Sequence, residues 1–234
     1  MAYPEDLVGK YIRFNRTGTP LSEREKQSLD YILTGHSASL SVPVFTYYPG
    51  RRGAPGGPGA PPVPPRPDRF LSMPPWNICF LDYHPGMVTA VQLSQCPVLT
   101  GPMSGCFLFR YKEQDGSTWF AHVGTGESTE VSLQAKRKWK LYARSLGTDT
   151  CGQSPLHFFD DPTLESAAKL AGGAPQIYGL FEAAPKGKFY AVLLARIKSG
   201  VEGHGYVKVC ALRESYLQPW DTIQKSIHFK DIST

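Results

Sequence analysis

The chain lacks several features that would have pointed to other classes of protein. No uninterrupted apolar run approaches the ~20 residues that a membrane-spanning helix needs, so we expect no membrane partner. No CxxC or HxxxH pair occurs, and a structural zinc site is therefore not expected. The chain has five cysteines, an odd number, and their spacing is irregular. This pattern argues against a disulfide framework and for a reducing compartment.

The chain also lacks a large excess of charge of either sign. Lys and Arg number 25 against 20 Asp and Glu, and a net charge of +5 is too small to indicate a nucleic-acid partner. The first residues contain neither a basic n-region nor an apolar h-region, so we expect no secretory signal peptide. The 41% hydrophobic and 12% aromatic residues are typical of a folded globular chain. We expect residues 1–234 to form a single, monomeric domain.

Helix and strand signals alternate in a way that predicts an α+β fold. The predicted helices share a capping residue followed by an apolar stripe, and they cover 20–35, 129–146 and a shorter stretch that opens at Asp161. The predicted strands are short apolar runs bounded by turn residues: 40–48, 77–83, 87–93, 106–111, 117–123, 176–181, 189–197 and 206–212. We expect a mixed, mostly antiparallel sheet or a β-sandwich core flanked by helices. Pro43 predicts that 40–48 is an edge strand.

Proline and glycine are concentrated in one segment. Thirteen of the twenty residues Pro49–Asp68 are Pro or Gly. Such a stretch cannot build a core, so we predict that 49–75 is a loop inserted into the domain. Three interpretations remain open for it: a spacer, a loop that contacts substrate, or a ligand for an SH3-like groove.

One short segment carries candidate chemistry. Thr100-Gly-Pro-Met-Ser-Gly-Cys106 places small residues and a proline directly before a cysteine, so the backbone amides there lack side-chain cover. A thiolate at Cys106 would be reachable, and the amides of Ser104, Gly105 and Cys106 could converge on a developing oxyanion. A thiol with a pKa of ~8.5 is mostly protonated at neutral pH, so it needs a neighbouring base such as His122.

The pairing of two predicted strands decides whether His122 can serve Cys106. A two-residue turn at Asp115-Gly116 puts the two residues on opposite faces of the sheet. A five-residue loop over 112–116 sets them directly across from each other, with Cβ atoms ~4.5–5.5 Å apart. We expect the second arrangement. The hydroxyl or carbonyl of Thr100 could then orient the imidazole by accepting a hydrogen bond from its second nitrogen.

Two further groups of residues have open interpretations. Cys151 and His157 lie six residues apart and form a rival, less favoured dyad. A run of basic residues lies on the predicted helix 129–146, and it is either a solvated helix face or a surface that recognises an acidic substrate. Its members are Lys136, Arg137, Lys138, Lys140 and Arg144.

The segment resembles a known group of enzymes. Met103-Ser104-Gly105-Cys106 is similar to the Leu-Ser-Gly-Cys motif of the toxin deamidases related to cytotoxic necrotizing factor and to Burkholderia lethal factor. The Thr-x5-Cys spacing, with a His on the next strand, also resembles the bacterial chemoreceptor glutamine deamidases. The resemblance covers residues 100–122. It implies that Cys106 is the nucleophile, His122 the general acid/base and Thr100 the residue that orients the imidazole.

The resemblance also implies an activity. We expect a cysteine-dependent protein glutamine deamidase, a hydrolase that acts through a thioester on a glutamine of a folded host protein and needs no metal or organic cofactor. A bacterial toxin or virulence effector, secreted or translocated into the host cytosol, fits this chemistry. The alternatives are a cysteine protease, a transglutaminase-type acyltransferase, and a non-catalytic adaptor that uses the Pro-rich segment as its ligand.

Overall fold

A computed structural model describes residues 4–13, 32–34, 37–48, 69–94, 96–146, 148–171, 174–182, 187–196 and 206–233. In this part of the chain the strands form two sheets, one closed into a barrel and one open. The two sheets and the helices that cover them confirm the predicted α+β class with mixed, mostly antiparallel pairing. No helix in these ranges is both long and apolar enough to cross a bilayer.

The barrel contains seven strands in the order β1-β12-β11-β10-β6-β4-β3. Their bounds are Tyr11–Arg13 (β1), Ser37–Tyr48 (β3), Arg69–Leu81 (β4), Val98–Thr100 (β6), Gln176–Phe181 (β10), Phe189–Arg196 (β11) and Tyr206–Ser215 (β12). Pairing of β1 with both β3 and β12 closes the barrel. Only the β4–β6 pair is parallel among these strands, and it sets Leu81 beside Thr100.

The open sheet contains six strands in the order β13-β9-β7-β8-β5-β2. Their bounds are Ile32–Thr34 (β2), Val88–Gln92 (β5), Phe107–Lys112 (β7), Thr118–Val123 (β8), Cys151–Gln153 (β9) and Gln218–Pro219 (β13). Side chains alternate between the two faces of this sheet, as strand geometry requires. On β7, Leu108 packs toward the barrel, whereas Phe107 and Phe109 pack on the outer face.

The outer face of the open sheet is covered by a helix and the C-terminal residues. Helix α1 spans Thr129–Ala143 and is capped by the side chain of Ser128, which accepts from the Val131 amide. The Trp139 ring stacks on Phe109 with centroids 4.3 Å apart. Helix α2 (Asp161–Ala171) lies against β11, and a short helix α3 (Trp220–Ile223) follows β13.

The two sheets approach each other closely where β7 meets β10. A Cβ at Gly179 would lie 2.0 Å from Leu108 Cδ1, so only glycine permits this contact. Nearby, the rings of Phe120 and Phe181 have centroids 5.3 Å apart. Side chains at the end of the barrel can therefore reach side chains on the inner face of β8, which positions the candidate site.

Three local predictions are wrong or lie outside the described residues. β3 is not an edge strand, because it pairs with β1 and β4, and Pro43 is accommodated at a bulge between Val42 and Val44. Of the predicted helix 20–35, only 32–34 is described, and it forms strand β2. Of the predicted loop 49–75, residues 49–68 lie outside the described ranges, and the remainder belongs to β4 because its backbone pairs with β3.

Candidate functional site

Thr100 lies at the end of β6, between β4 and β10, and is fully buried. Its Oγ1 donates a hydrogen bond to the backbone carbonyl of Leu81 at 2.8 Å. The same oxygen lies 2.6 Å from Nδ1 of His122. The predicted contact between Thr100 and His122 is therefore present. It joins the barrel to the open sheet through one hydroxyl group.

The two contacts of the Thr100 hydroxyl determine the tautomer of the His122 ring. A hydroxyl has a single proton, and a carbonyl can only accept, so this proton is used in the bond to Leu81. The contact with Nδ1 must then be an Nδ1–H that donates to Oγ1. It follows that Nε2 carries the lone pair and can accept a proton. Within the described residues, Nε2 is buried and has no hydrogen-bond partner.

The predicted pairing of Cys106 with His122 is wrong by two residues. His122 pairs with Leu108 on β7, and Cys106 directly precedes that strand. The hairpin loop spans 113–117 rather than 112–116, because the Glu113 amide donates to the Ser117 carbonyl. The numbers of paired residues therefore sum to 230 instead of the predicted 228. His122 lies opposite Leu108, two residues from Cys106, and residues two apart on a strand share a face.

Packing confirms that the sulfur lies on the inner face. Cys106 belongs to the same buried cluster as Leu108 and Phe120, whereas Phe107 and Val123 belong to the cluster on the outer face. Diagonal neighbours on one face have Cβ atoms roughly 7–8 Å apart, within reach of long side chains. Cys106 and His122 are thus diagonal neighbours, and no hydrogen bond joins Sγ to Nε2 in this conformation.

Two residues that the sequence analysis missed cover the sulfur. Sγ of Cys106 lies 3.4 Å from Oγ1 of Thr125, just beyond the end of β8. The Tyr83 hydroxyl donates to the Thr125 carbonyl, and the Tyr83 ring lies 5.2 Å from the His122 ring. Cys106 is 0% exposed and His122 is 1% exposed, so the expectation that the sulfur would be reachable is not met in this conformation.

Burial also controls the charge of His122. Loss of hydration, reinforced by repulsion from His84, lowers the pKa of His122 to about 3. The ring is therefore neutral at physiological pH. Together with the tautomer set by Thr100, this leaves Nε2 unprotonated in the resting protein, and the same loss of hydration makes it a weak base.

The low pKa of His122 predicts a specific dependence of stability on pH. Its folded-state value is depressed below the unfolded value of about 6.5, so the unfolded chain binds an extra proton between pH ~6.5 and ~3. The free energy of unfolding should fall as the pH drops through this window, by up to ~1.4 kcal/mol per pH unit. Urea unfolding of wild type and His122→Gln between pH 4 and 7 measures the difference in slope. Parallel profiles would contradict this assignment.

The loop before Cys106 leaves backbone donors available. The Met103 amide donates to the Ile177 carbonyl and anchors the loop to β10. Within the described chain, the amides of Ser104, Gly105 and Cys106 donate to no backbone carbonyl. Gly105 has φ +105°, a conformation that side-chain-bearing residues rarely adopt. These three amides are therefore available to a ligand, and their role as oxyanion donors stays a prediction.

A cavity of about 410 Å³ adjoins this loop. Ser104, Gly105 and Thr125 form the part of its wall nearest Cys106, and Lys136 of α1 lies on the same cavity. Cys151 lies on β9 beside Arg110 and, like Cys106 with His122, makes no hydrogen bond to its candidate partner His157 among the described residues. Neither Cys106 nor Cys151 lines this cavity, whereas Gly105 and Phe107 on one side and Gln153 and His157 on the other do.

The basic run on α1 does not form one surface. Arg137 pairs with Glu130, with Nη1 3.5 Å from Oε1, and Lys138 Nζ lies 3.3 Å from the Met87 sulfur. Lys140 donates to the backbone carbonyls of Phe229 at 3.3 Å and Ile232 at 2.7 Å, and so ties down the C-terminal residues. Lys136 alone of these cations lines the cavity.

No group of three or more metal-ligating side chains occurs among the residues that the structure describes. The site consists of a thiol, an imidazole and a hydroxyl, which is a donor set for acid–base and nucleophilic chemistry. The chain matches no protein-family model, and no curated protein is significantly similar to it in sequence.

Proposed function

We propose that the protein is a cysteine-dependent amidohydrolase that converts a glutamine side chain of a substrate protein to glutamate. The observation that carries this proposal is the Thr100 hydroxyl between the Leu81 carbonyl and His122 Nδ1, which leaves a buried, unpartnered Nε2 on the face that carries Cys106. Buried polar atoms are rarely left without a partner, so an orphaned lone pair calls for a functional explanation. Transfer of a proton from the neighbouring Cys106 thiol to Nε2 is such an explanation.

The proposed reaction has two halves that share one intermediate. Nε2 of His122 takes the thiol proton, and Sγ of Cys106 attacks the carboxamide carbon of the substrate. The amides of Ser104, Gly105 and Cys106 hold the tetrahedral oxyanion. His122 then returns the proton to the leaving nitrogen, so ammonia departs and a thioester remains. A water molecule, deprotonated by the same Nε2, cleaves the thioester and releases glutamate and the free thiol.

The enclosed sulfur requires an opening step before catalysis. Tyr83 and Thr125 belong to loops that follow β4 and β8, and their contact closes over Cys106. Substrate entry displaces Thr125 from Sγ, and the diagonal gap between Sγ and Nε2 then narrows around the bound carboxamide. Catalytic hydrogen bonds are often long in unliganded enzymes and shorten only in the substrate complex.

The proposed biological setting follows from the resemblance to the toxin deamidases. The five cysteines are free, which suits a reducing compartment such as a host cytosol. Conversion of a neutral carboxamide to a carboxylate places a charge on the target, and an unpaired buried charge is costly enough to break an interface. As part of this proposal, the chain is a translocated bacterial effector that modifies a host protein catalytically.

Intact-mass spectrometry tests the reaction type. Purified protein is incubated with host-cell proteins and with a glutamine peptide blocked at both ends. Deamidation should raise the substrate mass by about 1 Da, or about 3 Da in H₂¹⁸O, because water opens the thioester. Addition of a whole amine would instead indicate a transglutaminase, and a shortened chain would indicate a protease. An unchanged mass for every substrate would contradict the proposal.

A further inference from the structure

The cavity beside Ser104 and Gly105 is lined by basic side chains and by no acidic one among the described residues. One lysine and two histidines line it, Lys136, His157 and His228. Neutral donors add to this lining, including Ser104 and Gln153. A space lined by an ammonium group and two imidazoles without a compensating acid favours an anionic or carbonyl-rich occupant.

Lys136 is held in place without a counter-ion. Its Nζ lies 5.6 Å from the ring centroid of Phe107 and 5.7 Å from that of Phe229, so the ammonium group rests over two aromatic faces. Within the described chain it makes no ion pair. Burial lowers the pKa of Lys136, and a negative charge on Cys106 would oppose that shift. The ammonium group therefore lacks the carboxylate that such a partly desolvated cation normally acquires.

The neighbouring groups repel one another. The pKa of His228 is lowered first by burial and then by the neighbouring Lys136 and His157 side chains. Across the cavity, Oγ of Ser226 is buried and has no hydrogen-bond partner among the described residues. One carboxylate placed between these side chains would relieve the repulsion and accept hydrogen bonds from the unpaired donors.

We infer that this cavity is a substrate subsite that takes an acidic side chain next to the target glutamine, with Lys136 as the residue that determines this specificity. The inference deepens the proposed function and rests on it for the position of the glutamine. The cavity wall formed by Ser104 and Gly105 is also the loop that carries the oxyanion donors. Cys106 does not itself line the cavity, but Gly105 and Thr125, which adjoin it, do, so an acidic residue seated here would place a neighbouring carboxamide at the entrance to Cys106. The occupant is an acidic peptide segment and not a free anion.

Binding to an inactive protein tests the subsite without relying on turnover. In Cys106→Ser protein, NMR titration follows the His228 ring signal while acetyl-Glu-Gln-Glu-amide is added, with acetyl-Gln-Gln-Gln-amide and glutarate as comparisons. We expect the acidic peptide to bind and to raise the His228 pKa, the neutral peptide to bind at least about tenfold more weakly, and glutarate to give little response. Equal responses to both peptides would overturn the inference, and an equal response to glutarate would reduce it to a simple anion site.

Substitution of Lys136 provides the matched test. Lys136→Met in the same protein should weaken binding of the acidic peptide about tenfold, the loss expected for one charge-assisted hydrogen bond. Lys136→Arg should retain it, and Lys169→Met, an exposed position on α2 away from the cavity, should leave it unchanged. Unaltered binding by Lys136→Met, with the variant folded by circular dichroism, would overturn the inference.

Turnover separates failure of the inference from failure of the proposed function. In the protein with Cys106 intact, kcat/KM for glutamine peptides with acidic neighbours should exceed that for lysine neighbours, and Lys136→Met should reduce this ratio. Deamidation without any preference would refute the subsite alone. Selective binding of the acidic peptide with no deamidation of any substrate would refute the proposed function alone.

Discussion

Cys106→Ala should abolish amidohydrolase activity, lowering kcat/KM by at least ~10³-fold, because no other group can form the thioester. The substitution removes only the sulfur from a fully buried position, so the fold should survive with a loss of ~1 kcal/mol in the free energy of unfolding. Activity is measured by ammonia release and by the mass change of a glutamine peptide. Stability is measured by urea unfolding of the same preparation.

Cys151→Ala is the matched control for this prediction. Cys151 is also a free thiol on a strand of the open sheet, and it belongs to the rival dyad with His157. Its replacement should leave turnover within about twofold of wild type, as for most substitutions away from reacting atoms. Full activity in Cys106→Ala together with loss in Cys151→Ala would reverse the assignment. Full activity in both variants would remove both candidate cysteines from the chemistry and contradict the proposal.

Local sequence patterns were sufficient for most of the described elements. Strand β10 begins and ends at the residues that the apolar run predicts. Helix α1 begins at Thr129, which the sequence suggested as its capping residue, whereas the cap is Ser128. The helix ends at Ala143 rather than near Leu146, since its apolar stripe continues into a turn after the last helical residue. Pattern rules work here because each element buries one face, and the period of that face is written into the chain.

The strand register could not be obtained in the same way. Whether the hairpin loop spans 112–116 or 113–117 depends on which backbone amide closes it, and the composition of both spans is equally turn-like. The bond from the Glu113 amide to the Ser117 carbonyl selects the second. The shift is small in sequence, yet it converts Cys106 and His122 from direct partners into diagonal neighbours.

The closure of the site was hidden for a different reason. Tyr83 and Thr125 follow strands that belong to different sheets, so no spacing in the sequence relates them. The signal that was available is Gly124-Thr125-Gly126, a small-residue run directly after β8. A Cβ at Gly124 would lie 2.2 Å from the His84 carbonyl oxygen, which shows how tightly the two loops meet. Contacts between sheets depend on packing, and packing is not a local property of the chain.

Thr100 differs from the strand register and from the closure by Tyr83 and Thr125. Its spacing from Cys106 predicted the contact with His122, and the structure shows which of the two groups donates the hydrogen bond. Parallel pairing with β4 places the Leu81 carbonyl next to the Thr100 hydroxyl. Because the Thr100 hydroxyl donates to the Leu81 carbonyl, it accepts from His122, and this fixes the tautomer in which Nδ1 carries the proton. A backbone carbonyl in place of the hydroxyl would also have held Nδ1–H, but it would not have joined the two sheets.

Thr100→Val therefore tests the argument on which the proposed function depends. Valine fills nearly the same space but leaves the Leu81 carbonyl and His122 Nδ1 without a partner, so the free energy of unfolding should fall by ~1–3 kcal/mol. The His122 ring is then free to adopt the other tautomer, and kcat should fall ~10²-fold with little change in KM. Thr100→Ser retains the hydroxyl and should recover most of both losses. Nitrogen-15 NMR of the ring measures the tautomer directly: wild type should show a protonated Nδ1, and Thr100→Val a mixture. Loss of stability with unchanged kcat and tautomer would show that Thr100 only joins the sheets.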